Sequence, residues 1–477
     1  MPVTYFSSAD AGTQKTGYAG IKGVAGDLIK VLNSTLILDT GQTATGGGPS
    51  FADQTNTWIQ MGAGSALFVA NDATSDKAYF GGRKKFSQLI TQFATLGIGG
   101  TCTYEYWDGS AWVALVTPTD GTSMLTAAGT LSWSAAAQTG WAQTAVNGIT
   151  LYWIRISWAS VYSTNPVLKL GSIYGWGSPY QGTSGATYRS MLTSGVQHYV
   201  TVNDNAPNGT SLGREAWAYA AEALTQYNTD QFADGSNGVT KPIPSMTQGV
   251  SSTTGHTVWR KSADTTTARA WRVLMDEKTF YFFPLTGDSA NVYAGVPGFG
   301  EYFSLVSGDL YRSFISGRNT ENSAAVTGNL AALTPLCHRN SIASAAASST
   351  YIARAYTGIG GSLLINLLNG LPGVFNSGFM GGTGLAQSPN GPDAGIFIGP
   401  IFISEIAASS IRGRLRGLWD WGHAAAMMND QDTFAGTGAL SARTFVEFKQ
   451  LDFTNGLGGS DSTGGIVGET SDTWETN

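Results

Sequence analysis

TCTYEYWDGSAWVAL at residues 101–115 and VNGITLYWIRISW at residues 146–158 are the two runs of sequence that decide the fold. Both are rich in aromatic and β-branched residues, which fit a pleated, half-buried surface. Each run contains a dipeptide preferred in tight type I′ hairpins, DG at 108–109 and NG at 147–148, because glycine readily takes a positive φ. We therefore predict antiparallel strands joined by hairpins.

Six tryptophans between residues 101 and 158 indicate how these strands pack. Side chains of this size can fill the space between two stacked sheets. Because side chains alternate along a strand, either Trp153 or its neighbour Tyr152 should be buried. We predict a mainly β protein with an antiparallel β-sandwich, followed by a larger β-rich domain with one or two short helices and long Gly/Ser/Asn loops. The six are Trp107, Trp112, Trp133, Trp141, Trp153 and Trp158.

The run EYWDGSAWVAL, followed about forty residues later by LYWIRIS, resembles a module of structural proteins in tailed-bacteriophage virions, often tail or baseplate components. The similarity covers roughly residues 60–175 and rests on strands and aromatic positions, without a catalytic signature. It implies a strand within residues 85–96, although the apolar residues there have helical spacing. It also implies a building block of the particle rather than an enzyme.

Composition divides the rest of the chain. Residues 1–60 are rich in Gly, Thr and Ser and are predicted to form an extended N-terminal arm, with the sandwich at 61–180. The β-rich domain is expected at 181–455, with its best helical segment at 214–226, where Ala, Glu and Leu recur. Residues 456–477 are predicted to be an extended C-terminal tail.

The low charge of the chain and its lack of targeting signals argue against nucleic-acid and membrane partners. Only 12% of residues are charged and the formal net charge is −6, so nucleic acid, which needs a basic face, is not an expected partner. The first residues lack the basic and apolar regions of a secretory signal, and no apolar run is long enough to span a membrane. A weakly charged surface suits a protein packed against its neighbours, although a secreted β-protein with an uncharged surface would share it.

Catalytic and metal-binding patterns are weak. Glu105, Asp108 and Asp120 are the carboxylates worth considering for glycan hydrolysis, but Asp108 is explained by its turn and Glu105 by an outward position on its strand. The four histidines and two cysteines have no metal-ligand spacing. We predict no enzyme activity, no cofactor and no metal.

The segment at 396–419 is the predicted subunit interface. It joins an apolar strip, IFIGPIFI, to three arginines at alternate positions, which would share one face of a strand and pair with acidic or carbonyl groups of a neighbouring subunit. The alternative is a buried strand within its own domain. The predicted interface residues are Ile396, Phe397, Ile398, Ile401, Phe402, Arg412, Arg414, Arg416 and Trp419.

These patterns predict a structural component of a tailed-phage virion, in the tail tip or baseplate, made in the host cytoplasm without a signal peptide. Its partners would be other copies of itself and other virion proteins. A carbohydrate-binding module that recognises a host surface glycan is the alternative, because exposed tryptophan faces can stack on sugar rings. A capsid decoration protein is a further alternative.

Overall fold

The computed structural model describes residues 3–10, 19–45, 50–68, 76–182, 184–193, 196–204, 215–221, 256–262, 264–285, 296–317, 350–352, 365–366, 397–405, 410–422, 429–448, 464–471 and 473–474. Within these ranges the protein is mainly β, and its strands pair antiparallel in several sheets, as predicted. No helix in the described part of the chain is long and apolar enough to cross a membrane.

The described helices are short. They are α1 Asp27–Leu32, continued by a π-helix at Asn33–Ile37, α2 Thr55–Ile59, and single 3-10 turns at Ala135–Ala137 and Gly438–Leu440.

The strands in chain order are β1 Thr4–Ser7, β2 Thr40–Thr45, β3 Ser50–Asp53, β4 Ser65–Ala66, β5 Lys77–Gly82, β6 Gln88–Thr95, β7 Thr101–Trp107, β8 Trp112–Ala114, β9 Thr119–Asp120, β10 Gly129–Ser132, β11 Gln143–Val146, β12 Ile149–Ser160, β13 Val167–Ser172, β14 Trp176–Gln181, β15 Gly185–Ser190, β16 Tyr199–Asn203, β17 Glu215–Ala221 and β18 His256–Arg260. They continue with β19 Trp271–Met275, β20 Thr279–Pro284, β21 Gly298–Glu301, β22 Phe303–Ser304, β23 Ser313–Ser316, β24 Thr350–Ile352, β25 Ile365–Asn366, β26 Phe397–Glu405, β27 Ser410–Gly422, β28 Thr433–Ala435, β29 Thr444–Phe448 and β30 Gly464–Glu469.

The runs at residues 101–115 and 146–158 form the centre of a β-sandwich. Its first sheet has the order β3-β2-β5-β12-β7-β8, with β11 also paired to β12, and its second has the order β4-β13-β6-β10-β9. Alternation sends Tyr104, Ile154 and Ile156 from the first sheet and Leu89 and Leu168 from the second into one core. The strand implied within residues 85–96 is confirmed as β6.

The two predicted hairpins differ in their turns. Asn147 and Gly148 both have positive φ, 50° and 76°, and Val146 pairs with Ile149, so the type I′ prediction is confirmed there. The DG site is a longer loop, because Trp107 pairs with Trp112 across four residues. The tight two-residue turn predicted at that site is wrong.

Beyond the sandwich, three sheets lie in layers. The central sheet has the order β1-β19-β20-β21-β23-β24-β25. One of its faces packs on the sheet β14-β15-β16-β17-β18, where Trp176 and Trp259 meet Phe280 edge to face. Its other face packs on the sheet β22-β27-β30-β29-β28, where the rings of Phe283 and Phe448 stack 3.6 Å apart. We call this second contact the C-terminal core.

The helix predicted at 214–226 is wrong over residues 215–221, the part that the structure describes, because these form strand β17. Alanine favours helices in isolation, but tertiary pairing overrides that preference. β17 is paired on both sides, with β16 and with β18, and Ala216 and Ala218 are fully buried at alternate positions. The alternation of alanine with Trp217 and Tyr219 in the sequence is the period-two signal of a strand.

The N-terminal segment is not an extended arm where it is described. β1 pairs with β19 in the central sheet, and β2 and β3 lie in the sandwich. Between them, α1 and the π-helix bury their apolar side chains in the large core shared by the sandwich and the layered sheets. The segment is short of apolar residues for a core of its own, but it contributes to one that already exists.

The prediction of an extended C-terminal tail at residues 456–477 is also wrong where the structure describes that segment. β30, within the predicted tail, pairs with both β27 and β29. Beyond it, Trp474 is 3% exposed, and its ring occupies the position where a side chain of Gly417 would lie. Gly417 also has a φ of +66°, so its place in the chain suits glycine for two reasons. This part of the terminus is held within the subunit.

Candidate functional site

The three carboxylates considered for hydrolysis all have structural partners. Glu105 receives two hydrogen bonds from the Arg155 guanidinium, at 2.7 and 3.1 Å, and one from the Ser157 hydroxyl at 2.6 Å. Partial burial works towards a higher pKa for Glu105, but these bonds outweigh it and the pKa is lowered. Asp108 accepts bonds from the backbone N–H groups of Ala111 and Ser110, which also lower its pKa.

Asp120 has a similar role in the turn that follows it. Its carboxylate accepts bonds from the backbone N–H groups of Thr122 and Met124 and from the hydroxyl groups of Thr122 and Tyr104. Burial opposes these bonds, but they outweigh it and the pKa of Asp120 is lowered. A general acid in glycan hydrolysis needs a raised pKa. All three carboxylates are therefore suited to fixing loops and strands in their ionised form.

The predicted interface strip lies mostly inside its own subunit. Ile401 and Ile403 on β26 are buried in the C-terminal core, and Trp419 on β27 is 8% exposed. Ile398 and Phe402 are half-buried. Ile396 lies outside the described residues, and Phe397 is described only as part of strand β26. This arrangement matches the alternative reading of the strip as a buried strand.

Two of the three arginines pair with aspartates of the same chain. Arg412 bonds both oxygens of Asp309, Nε to Oδ2 at 2.9 Å and Nη2 to Oδ1 at 2.7 Å, and both side chains are essentially unexposed. Arg416 also binds both oxygens of its partner Asp276, through Nη1 to Oδ1 and Nη2 to Oδ2. The predicted pairing of these two arginines with a neighbouring subunit is wrong, because Asp276 lies in the turn between β19 and β20 of the same chain and Asp309 in the hairpin between β22 and β23. Arg414, between them, is half-buried, with its guanidinium 4.9 Å from the centre of the Phe303 ring.

An exposed apolar surface lies at one end of the sandwich. We call it the apolar end, and it consists of side chains from three connections: Leu96 and Ile98 between β6 and β7, Met124 between β9 and β10, and Val161 between β12 and β13. These side chains are 44%, 57%, 40% and 49% exposed. Residues 96–100, 121–126 and 161–164 contain no charged residue. The exposed side chains of this surface are therefore apolar, and the half-buried Asp120 carboxylate, bonded to the Met124 N–H, is its charged neighbour.

Backbone and side-chain bonds hold the three connections together. The N–H of Gly97 donates to the Leu125 carbonyl at 3.0 Å, and the N–H of Ser163 donates to the Ile98 carbonyl at 2.8 Å. The hydroxyl of Tyr162, which is 1% exposed, donates to the Met124 carbonyl at 2.8 Å. The apolar end is consequently a fixed surface with a buried aromatic side chain beneath it.

The turn that presents Met124 is strained. Ser123, Met124 and Leu125 are three consecutive non-glycine residues with positive φ, at 51°, 57° and 66°. For an L-residue the left-handed conformation costs roughly 1–2 kcal/mol. The bonds to Asp120 and the burial of Leu125, which is 1% exposed, hold this conformation. Strain of this kind is concentrated at functional sites.

The apolar end is not predicted from the sequence. Its signal in the sequence was the absence of charge from three loops that carry Leu, Ile, Met and Val. Because the three loops are separated by up to about sixty residues, that signal becomes visible only when the fold brings them together.

The described ranges contain no group of three His, Cys, Asp or Glu side chains that could hold a metal ion. Comparison with known proteins found no matching family model, no matching curated protein and no matching solved structure.

Proposed function

We propose that the protein is a structural subunit of a tailed-bacteriophage virion, located in the tail tip or baseplate. It acts by packing against other copies of itself and against neighbouring virion proteins, and it carries no catalytic centre. The resemblance of residues 60–175 to virion modules supports the assignment to a tailed-bacteriophage particle. The apolar end of the sandwich is the observation that carries the packing role.

The apolar end supports this role because its exposure is costly in a free subunit. Clustered exposed aliphatic side chains mark interaction sites more often than scattered ones do. Each aliphatic side chain that becomes buried contributes about 1.5–3 kcal/mol. The fixed backbone beneath Met124 reduces the entropy that would be lost on association.

The low charge of the chain supports the same role. Charged residues are 12% of the sequence, about half the usual share. Several of them are used inside the subunit, where the Arg412–Asp309, Arg416–Asp276 and Lys261–Asp204 pairs are buried. Interface cores are depleted of charge.

We expect Ile98→Asp to weaken association between subunits by about tenfold or more. The new carboxylate would have to be desolvated in an apolar contact, and about 1.4 kcal/mol corresponds to each factor of ten. Sedimentation velocity of the full chain over a range of concentrations measures the effect. Leu310→Asp is the matched control, because Leu310 is 51% exposed on the hairpin between β22 and β23, away from the sandwich connections.

Circular dichroism and thermal unfolding establish that both variants are folded. If Ile98→Asp associates as tightly as Leu310→Asp, the apolar end is not a packing surface and the main support for the proposed role is removed.

A further inference from the structure

A second surface lies on the sandwich sheet that contains β12, on the face directed away from the core. We call it the outer face. Alternation along β12 sends Ile154 and Ile156 into the core and leaves Arg155 on the opposite side. The register places Arg155 between Tyr79 on β5 and Glu105 on β7. The outer face therefore combines aromatic and charged side chains in one row across the sheet.

Aromatic rings form one part of the outer face. Trp107 and Trp112 are cross-strand partners, with ring centres 5.7 Å apart. Trp112 also meets Tyr79 at 5.6 Å, and Tyr79 meets Phe51 at 5.9 Å. Both tryptophans and Phe51 are half-buried, although Trp153 on the same face is fully buried. Part of this aromatic surface is therefore in contact with solvent and held in a fixed orientation.

Polar groups beside the rings are fixed as well. The Arg155 guanidinium lies 4.5 Å from the centre of the Trp112 ring and holds Glu105 through two hydrogen bonds. Both charged side chains keep partial exposure, 16% for Arg155 and 17% for Glu105. A guanidinium has five N–H donors, of which the carboxylate uses two here. Exposed Thr103 lies beside Ser157 in the next row.

The charges of the outer face favour an uncharged, polar ligand. The positive charge of Arg155 is balanced by Glu105. The further charged residues are Lys77 in the neighbouring row and the exposed Asp53, which the register places in the row of Tyr79, so the face carries two charges of each sign. A polyanion would need a basic face. An apolar protein surface would leave the charged pair desolvated at a cost. Ligand sites typically combine aromatic walls with a few fixed polar groups, and a sugar ring offers an apolar C–H face together with hydroxyl groups.

We propose that the outer face binds a neutral glycan, with Trp112 and Trp107 stacking on a sugar ring and the Arg155–Glu105 pair bonding its hydroxyl groups. This binding is separate from the packing role of the apolar end, because the two surfaces share no residue. It would give a virion subunit a second contact, with the surface of the host cell.

Affinity electrophoresis of the full chain in gels containing dextran, mannan or laminarin tests the proposal, together with a glycan array that includes acidic saccharides. We expect at least one neutral glycan to retard the protein, and Trp112→Ala to weaken that binding by about tenfold or more. Trp112→Phe, which keeps an aromatic ring, should retain more of the binding than Trp112→Ala. Leu310→Asp, which lies in neither the apolar end nor the outer face, should bind as the unaltered chain does.

The contrary outcomes are also specific. Binding to acidic saccharides alone would contradict the proposal that the ligand is neutral. The absence of any glycan binding would contradict the proposal that the outer face is a glycan-binding site. If Trp112→Ala, confirmed as folded by circular dichroism, binds glycan like the unaltered chain, the outer face is not the site. A change in oligomeric state on Trp112→Ala without loss of glycan binding would assign the outer face to contacts between subunits.

Discussion

Arg412→Ala is expected to lower the free energy of unfolding by about 3–5 kcal/mol, because it leaves the Asp309 carboxylate buried without its charged partner. Neither side chain of the pair is more than 1% exposed. Arg412 also donates to the Tyr311 carbonyl at 3.0 Å, so the substitution removes more than the ion pair. Urea denaturation followed by tryptophan fluorescence measures the loss.

Arg414→Ala is the matched control for this substitution. The same residue type lies two positions along β27, half-buried over Phe303, and its loss is expected to cost about 1 kcal/mol. Equal losses for Arg412→Ala and Arg414→Ala would contradict the assignment of Arg412 to a buried internal pair.

The same pair predicts a dependence on pH. Burial works towards a higher pKa for Asp309, but the hydrogen bonds and charge of Arg412 outweigh it, so the pKa is lowered. A carboxylate with a lowered pKa contributes stability above its ordinary value, and that stability is lost as the pH falls through the folded value. The unaltered chain should therefore lose more stability than Asp309→Asn between neutral pH and pH values below the usual aspartate range.

Trp153→Ala is the second substitution with a large expected effect, a loss of about 3–5 kcal/mol in the free energy of unfolding. Trp153 is fully buried, and its Nε1–H donates to the Thr144 carbonyl at 2.9 Å. The substitution would leave a cavity on the outer face of the sheet, over Gly81 and beside Tyr79, together with an unpaired carbonyl at Thr144. Thermal and urea unfolding measure the loss.

Trp107→Ala provides the comparison, since Trp107 is half-buried on the same face of the same sheet. Its smaller buried area predicts a smaller loss. A Trp153→Ala protein with a melting temperature within a degree or two of that of the unaltered chain would contradict the burial of Trp153 and the position of β12 in the sandwich.

The sandwich could be predicted because its signals are local. The NG turn and the alternation along β12 are determined by neighbouring residues, and both are found as expected. Of Trp153 and Tyr152, Trp153 is the fully buried side chain, but it lies on the face of β12 directed away from the sandwich core, and Tyr152 packs against that core. The strand at β6 was implied by resemblance against a helical spacing of its apolar residues, so periodicity alone would have given the wrong element there.

The failed predictions of the helix at 214–226, the extended termini and the arginine partners share a cause, which is that the deciding contacts are distant in sequence. β17 is a strand because β16 and β18 pair with it, and β1 and β30, within the two terminal segments, are strands because β19 and β27 pair with them. Arg412 pairs with Asp309, which lies about a hundred residues away in the sequence. A weakly charged sequence indicated a protein that packs closely, but it did not indicate which surfaces pack within the subunit and which remain exposed.

Peptide mass mapping of particles released by lysis from cells that carry the gene tests the proposed function most directly. The particles and the tails separated from them are purified on density gradients, and the copy number of the chain is measured in each fraction. The proposal predicts that the chain is present in several copies per particle and remains with the tail fraction. If the chain is made in these cells but is absent from the purified particles, it is not a structural component of the virion.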